Sequence, residues 1–299
     1  MKTRILGILI GWSWILPAPH ISAQTPRTDL FLIPFEQEVG QRVVGTPRRI
    51  SQHPGYNNQP SFTFDGRSVL FNADPTGTTD IFRYELARDT IIQVTRTPVG
   101  EYSPTPYSDS TFVAVVVEPD GRQRLWEYPL TGDRARLFVA DRDSVGYFDL
   151  LPGGDIAMFV LGTPPSLRLW NAFNDEEERL PGLPGRSIKR HPISDVFFYV
   201  DKSHKDRNVL YQVHPQTLER TSFAQLPQGC EDIVFMPDGT LLASAGSVIY
   251  RYSPHIEGFW YELADFKEFG LANISRMAVS PDGNRLVVVS VFSNPPKQP

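Results

Sequence analysis

Residues 277–290 read MAVSPDGNRLVVVS: a short apolar run from Met277 to Val279, a turn at Asp282-Gly283, and a second run from Arg285 to Ser290. Asp-Gly between two strand-like runs is a strong hairpin signal, because both residue types tolerate positive φ. The same unit recurs upstream. Asp65-Gly66, Ser108-Asp109, Gly153-Gly154 and Asp238-Gly239 each separate two such runs, and Ile193-Ser194 fills the equivalent place in a degenerate copy. The turns begin near residues 65, 109, 153, 193, 238 and 282, so successive copies lie about 44 residues apart. Self-similarity at a fixed period of this length marks a repeat architecture.

A third strand follows each hairpin. DLFLIPF (29–35), DIFRYEL (80–86), RLWEYPL (124–130), RLWNAF (168–173), VLYQVH (209–214) and VIYRYS (248–253) align without gaps. They place Phe31, Phe82, Trp126, Trp170, Tyr211 and Tyr250 at one position, each preceded by Leu or Ile. Bulky rings in register suit sites pressed between stacked sheets, so they are expected to form core between units rather than a ligand cage. A fourth, outer strand follows a polar turn, as in Thr90 to Thr95 and Arg134 to Val139. Four strands per unit at this period make a propeller blade.

The copies are permuted. The aromatic strand at Phe31 has no inner hairpin before it, and the hairpin from Met277 to Phe292 has no aromatic strand after it. Asp29 to Ser51 would therefore supply the outer strands of a blade whose inner strands come from the C-terminal end, covering edges otherwise open to aggregation. The fold expected is all-β: a six-bladed β-propeller of four-stranded blades, closed by N-terminal outer strands joining C-terminal inner strands.

Residues 1–23 carry a basic start at Lys2 and Arg4, an apolar run from Ile5 to Leu16 broken by Pro17, and small residues Ser22-Ala23 before Gln24. That is the layout of a cleavable signal peptide, with a run short of the roughly 20 residues a membrane span needs. No cysteine follows it for lipid attachment. The expected organisation is signal peptide 1–23, propeller 24–293 and a Pro-rich tail 294–299, exported to the periplasm or beyond without stable membrane insertion. The net charge of −5 argues against nucleic-acid partners. The single cysteine, Cys230, excludes an internal disulfide and reads as a buried, inert thiol.

The copies FTFDGRSVLF, VFMPDGTLLASAG and VSPDGNRLVVVS resemble the TolB-type (PD40, WD40-like) propeller repeat: a strand, Ser-Pro-Asp-Gly, a second strand, and an aromatic third strand opening near an Asp, here Asp29 and Asp80. The resemblance spans about residues 25–292. It departs at Pro152-Gly153-Gly154 and Pro192-Ile193-Ser194, which loosens strand boundaries in those two copies. It implies the fold and a habit of binding proteins in the periplasm. The α/β domain that precedes the propeller of TolB itself is not found ahead of this one, so a place in the Tol machinery is not implied.

No HExxH, GxSxG, P-loop or EF-hand motif occurs. The five histidines after residue 23 that stand outside motifs do not fall at metal-ligand spacing, so no cofactor and no metal are expected. Rims and central channels carry function in propellers because a rigid ring leaves its loops free to vary. Counting six residues back from each turn gives Gln59, Ser103, Tyr147, Ser187, Asp232 and Arg276 at the starts of the innermost strands. Tyr102, Arg190, His191 and Glu231 are their neighbours. This polar ring of mixed sign is the candidate site, able to bind a peptide, a protein or a small polar molecule. The plainer alternative is that it solvates a water-filled channel. The function expected is a non-catalytic binding scaffold. Its rival is a hydrolase or lyase in which Arg190, His191, Glu231, Asp232 and Arg276 converge from several blades.

Overall fold

In a computed structural model the chain is described over residues 27–38, 41–253 and 258–292. The segment 1–23 and the tail 294–299 lie outside the described residues. Six antiparallel sheets follow in order. Blade I comprises Asn57–Phe62, Ser68–Ala73, Asp80–Glu85 and Thr90–Gln93. Blade II comprises Gly100–Pro106, Thr111–Val117, Gln123–Pro129 and Arg136–Leu137. Blade III comprises Val145–Leu150, Ile156–Val160, Ser166–Trp170 and Glu177–Leu180. Blade IV comprises Pro184–Arg190, Phe197–Asp201, Val209–Val213 and Arg220–Gln225. Blade V comprises Asp232–Phe235, Leu241–Ala245, Val248–Tyr252 and Trp260–Asp265.

Blade VI is shared between the two halves of the chain. Met277–Val279 pairs with Arg285–Phe292, which pairs in turn with Thr28–Glu38 from Thr28↔Val291 to Pro34↔Arg285. Arg48–Arg49 and Gln41–Val44 cover the outer side of Thr28–Glu38. The all-β, six-bladed architecture and its closure are those the repeat requires.

The third strands explain how the blades stack. Successive strand residues face opposite sides, so each aromatic and the aliphatic before it serve different interfaces. Phe82 packs toward blade VI with Leu30, Val287 and Val289, whereas Ile81 packs toward blade II with Phe112 and Tyr128. Trp126 leans on the interface between blades I and II, and Leu125 belongs to that between II and III. Leu30, Ile81, Leu125, Leu169, Leu210 and Ile249 are all buried. Of the six rings only Phe31 and Phe82 are buried; the other four cover the interfaces as half-buried lids.

The repeat's turns use their residues differently from the sequence expectation. Gly66, Gly239 and Gly283 have φ of 65°, 82° and 69°, but Asp65, Asp238 and Asp282 do not adopt positive φ. The Gly66 N–H donates to the Thr63 carbonyl, so the turn is a wider loop with glycine alone in the left-handed region. The aspartates act through their side chains: Oδ1 of Asp65, Asp238 and Asp282 accepts the N–H two residues on. The repeat's other aspartate ties third strand to outer strand. Asp29 Oδ1 accepts from Arg49 and Ser51, each at 2.7 Å, and Asp80 accepts from Gln93 at 2.9 Å and the Thr97 N–H at 3.2 Å.

Candidate binding site in the central channel

The innermost strands do not run as regular ladders. In blades I to IV the pairing slips at Asn58/Ser61, Tyr102/Thr105, Val145/Tyr147 and Pro184/Ile188. Gln59, Ser103 and Arg276 adopt φ of 52°, 53° and 71°. Such bulges break the alternation of side chains and re-aim them. Gln59, Ser103, Tyr147, Ser187, Asp232 and Arg276 accordingly line one axial cavity of about 540 Å³. The cavity begins at this ring and runs toward the hairpin turns. There Phe64, Pro106, Pro152, Pro192, Pro237 and Pro281 stand around its mouth, one from each blade. The ring thus forms the floor of the cavity, and the hairpin end lies opposite it.

Arg276 of blade VI forms much of that floor. Its guanidinium carbon lies 4.9 Å from the ring centroid of Tyr147 in blade III, and its Nη1 donates to Asp232 Oδ1 of blade V at 2.7 Å. Arg186 of blade IV holds the same carboxylate, with Nη2 at 2.5 Å from Oδ2 and Nε at 3.3 Å from Oδ1. Asp232 is 4% exposed. Burial works to raise its pKa, but Arg276 and Arg186 outweigh that and hold the carboxyl below the usual carboxylate range. On the other side of the floor, Gln59 Oε1 accepts the Ser103 N–H at 2.9 Å, linking blades I and II.

Nearer the mouth stand Asp149, Lys189, Arg190 and His191. Asp149 accepts the Arg190 N–H at 2.6 Å and the Leu150 N–H at 3.0 Å. Burial raises its pKa against the pull of Lys189 and of the Arg190 N–H. His191 Nδ1 accepts from the Ser194 N–H at 3.1 Å and meets Ser194 Oγ at 2.8 Å, which bends the degenerate hairpin of blade IV. Burial lowers its pKa, which favours the neutral imidazole.

The ring residues counted from the turns therefore converge, whereas their chain neighbours disperse. Arg190 and His191 lie at the hairpin end rather than beside the strand starts. Three or four residues of extended strand carry the chain roughly 10–13 Å. Tyr102 lies in a separate recess between blades I and II, with Tyr56, Asp74, Thr79, Pro98 and Gly100. Glu231 does not line the cavity and pairs with Lys202 at 3.2 Å. Arg186 and Asp149 are charged channel residues that the sequence pattern did not single out. Simple alternation would turn Arg186 away from Ser187's side, and only the irregular pairing between Pro184 and Ile188 returns it to the channel. Cys230 is fully buried, and burial pushes its thiol pKa up to about 12. Among the described residues, no three His, Cys, Asp or Glu side chains gather as a metal-binding set, and no helix is long and apolar enough to cross a membrane.

The chain is a six-bladed β-propeller with the fold of the TolB-type propellers. A solved structure described as TolB from Agrobacterium tumefaciens superposes with a TM-score of 0.69 at 14% identity, covering 90% of this chain and 99% of that one. A gluconolactonase from Xanthomonas campestris gives 0.62 at 10% identity, covering 91% and 99%. An oligogalacturonate lyase in complex with manganese gives 0.56 at 13% identity, covering 83% and 80%. At these identities the likeness establishes the fold and leaves binding proteins and enzymes side by side. No family profile and no curated protein matches the sequence.

Proposed function

We propose that this protein is an exported, non-catalytic binding module whose ligand or partner segment occupies the axial cavity from the hairpin end. The observation that carries this reading is the cavity itself: side chains from several blades meet across the axis at its floor, hairpin turns line the other end, and its size lies within the roughly 300–1,000 Å³ of ligand pockets. Four of the five residues named for a hydrolase or lyase line the cavity, but the partners they hold favour the binding reading. Asp232 is held by two arginines, Glu231 faces Lys202, and His191 is engaged by its own turn.

The test is a cavity-filling variant. Thr105 lines the cavity on blade II, and Thr105→Phe adds bulk without altering charge. Immobilised parent and variant, each verified as folded by circular dichroism, are exposed to extract of the native host, and retained material is identified by mass spectrometry. Retention on the parent that is lost on the variant supports the reading. Equal retention on both moves the site elsewhere. A hydrolase or lyase turnover abolished by the same substitution would replace the binding module with an enzyme.

A further inference from the structure

The charges in the cavity run against those of the chain. The protein carries a net charge of −5. Yet the charged residues lining the cavity are Arg186, Lys189, Arg190 and Arg276 against Asp149 and Asp232. At the floor, two guanidinium groups share one carboxylate, and Arg276 spends only Nη1 on it. Nearer the mouth, neither Lys189 nor Arg190 reaches a carboxylate within ion-pair distance among the described residues. The carboxyl of Asp149, which also lines the channel, accepts two backbone N–H groups.

A concave, low-dielectric wall concentrates the field of such charges along the axis. Guanidinium groups present planar, paired donors that match the two oxygens of a carboxylate. Around the cationic centre stand apolar surfaces: the proline collar, Phe64 and the Tyr147 ring under Arg276. An apolar wall with a few convergent charged donors is the make-up of a small-molecule site.

From this we infer that the cavity takes a small organic polyanion, a compact di- or tricarboxylate, which enters past the proline collar. Lys189 and Arg190 draw it in, and its inner carboxylate meets the free donors of Arg276 and Arg186 at the floor. The inference rests on the cavity being the binding site and adds the ligand's chemical class. Charge recognition of this kind weakens with ionic strength, more for the exposed Arg190 than for contacts at the floor.

Isothermal titration calorimetry with citrate, inorganic phosphate and glucose as probes tests it. The proteins are the parent, Arg276→Gln, Lys189→Gln/Arg190→Gln, Thr105→Phe, and Arg122→Gln as an exposed control. The expected result is saturable binding of one citrate by the parent and the control. It weakens at least tenfold in Arg276→Gln and in Lys189→Gln/Arg190→Gln, and is abolished in Thr105→Phe. The Lys189/Arg190 variant keeps the test decisive should Arg276→Gln fail to fold. Phosphate binding tighter than citrate, or citrate binding equal in parent and charge variants, overturns the carboxylate assignment. Absence of citrate binding while Thr105→Phe still blocks retention of a neutral ligand overturns the polyanion and leaves the cavity site standing. Citrate binding unaffected by Thr105→Phe removes the cavity site as well.

Discussion

Arg276 and Tyr147 stand on blades three apart in a ring of six, directly across the axis, and their side chains meet, guanidinium carbon to ring centroid, at 4.9 Å. One long side chain thus braces opposite walls of the channel while gripping Asp232 on a third blade. Arg276→Met keeps a comparable stem and removes both contacts. Asp232 retains Arg186, so the expected loss is about 1–3 kcal/mol, read as a lower urea midpoint at unchanged m-value. Tyr147→Leu should cost less, and the double variant less than the sum of the two, because both remove the same contact. Strict additivity would show that the stacking contributes nothing.

Acid should reveal the Asp232 network. Its folded pKa lies below the unfolded value of about 3.9, so it contributes stability above that value and loses it as pH falls through the folded pKa. Asp232→Asn should therefore be markedly less stable than the parent near pH 7, with the gap closing below pH ~4. Glu101 has the opposite sign. Burial raises its pKa against hydrogen bonds from Thr95, Thr97 and Tyr128, so its contribution is present in acid and drains as pH rises from about 4.3 through the folded value. Denaturant curves of parent and Asp232→Asn across pH 2–7 check this. A gap constant over that range would mean the Asp232 charge is not responsible.

Two glycines of like backbone conformation should respond differently to alanine. Gly132 and Gly121 have φ of 86° and 85°, but a Cβ on Gly132 would lie 1.8 Å from the Val94 carbonyl oxygen, whereas one on Gly121 meets nothing within 4 Å. Gly121→Ala should cost about 1 kcal/mol from backbone strain alone. Gly132→Ala must also displace backbone and should cost at least about twice as much by thermal or urea unfolding. Equal losses would contradict the close approach of the two loops.

The Cys230 thiol, fully buried with its pKa pushed up to about 12, should not react with an aromatic disulfide reagent at pH 8 in the folded protein. It should react at once in denaturant. Rapid stoichiometric labelling of the folded chain would show that the segment around Cys230 opens.

Leu30 lies fully buried between blades VI and I, while Leu161 is 44% exposed on a loop. Leu30→Ala should cost about 2–5 kcal/mol and Leu161→Ala within about 0.5 kcal/mol. A small effect at Leu30 would mean that the closing blade packs loosely.

The fold was legible because its determinants are local and repeated. Gly66, Gly239 and Gly283 mark turns that only a residue without Cβ enters easily, and the paired Leu30-Phe31 and Ile81-Phe82 alternate between neighbouring interfaces. The ring positions were legible for the same reason, since each stands at a fixed distance before its turn. The charge network was not. Arg186, Asp232, Arg276 and Tyr147 come from four blades, and nothing in the local pattern of one blade states which arginine crosses the axis. Arg190 and His191 show the complementary limit: near Ser187 in the chain, they are carried along the strand to the other end of the channel.

The shared blade also sets an order of events. Pairing Thr28 with Val291 closes a loop nearly as long as the chain, whereas each hairpin of blades I to V closes one of a few residues. Contacts so distant in sequence are slow to find one another. Blades I to V can therefore form before blade VI, which must wait for residues 285–291 to arrive. Until then the edge of Thr28–Glu38 stays unpaired. The channel floor waits as well, because Arg276, which braces it, sits just ahead of the last hairpin to emerge.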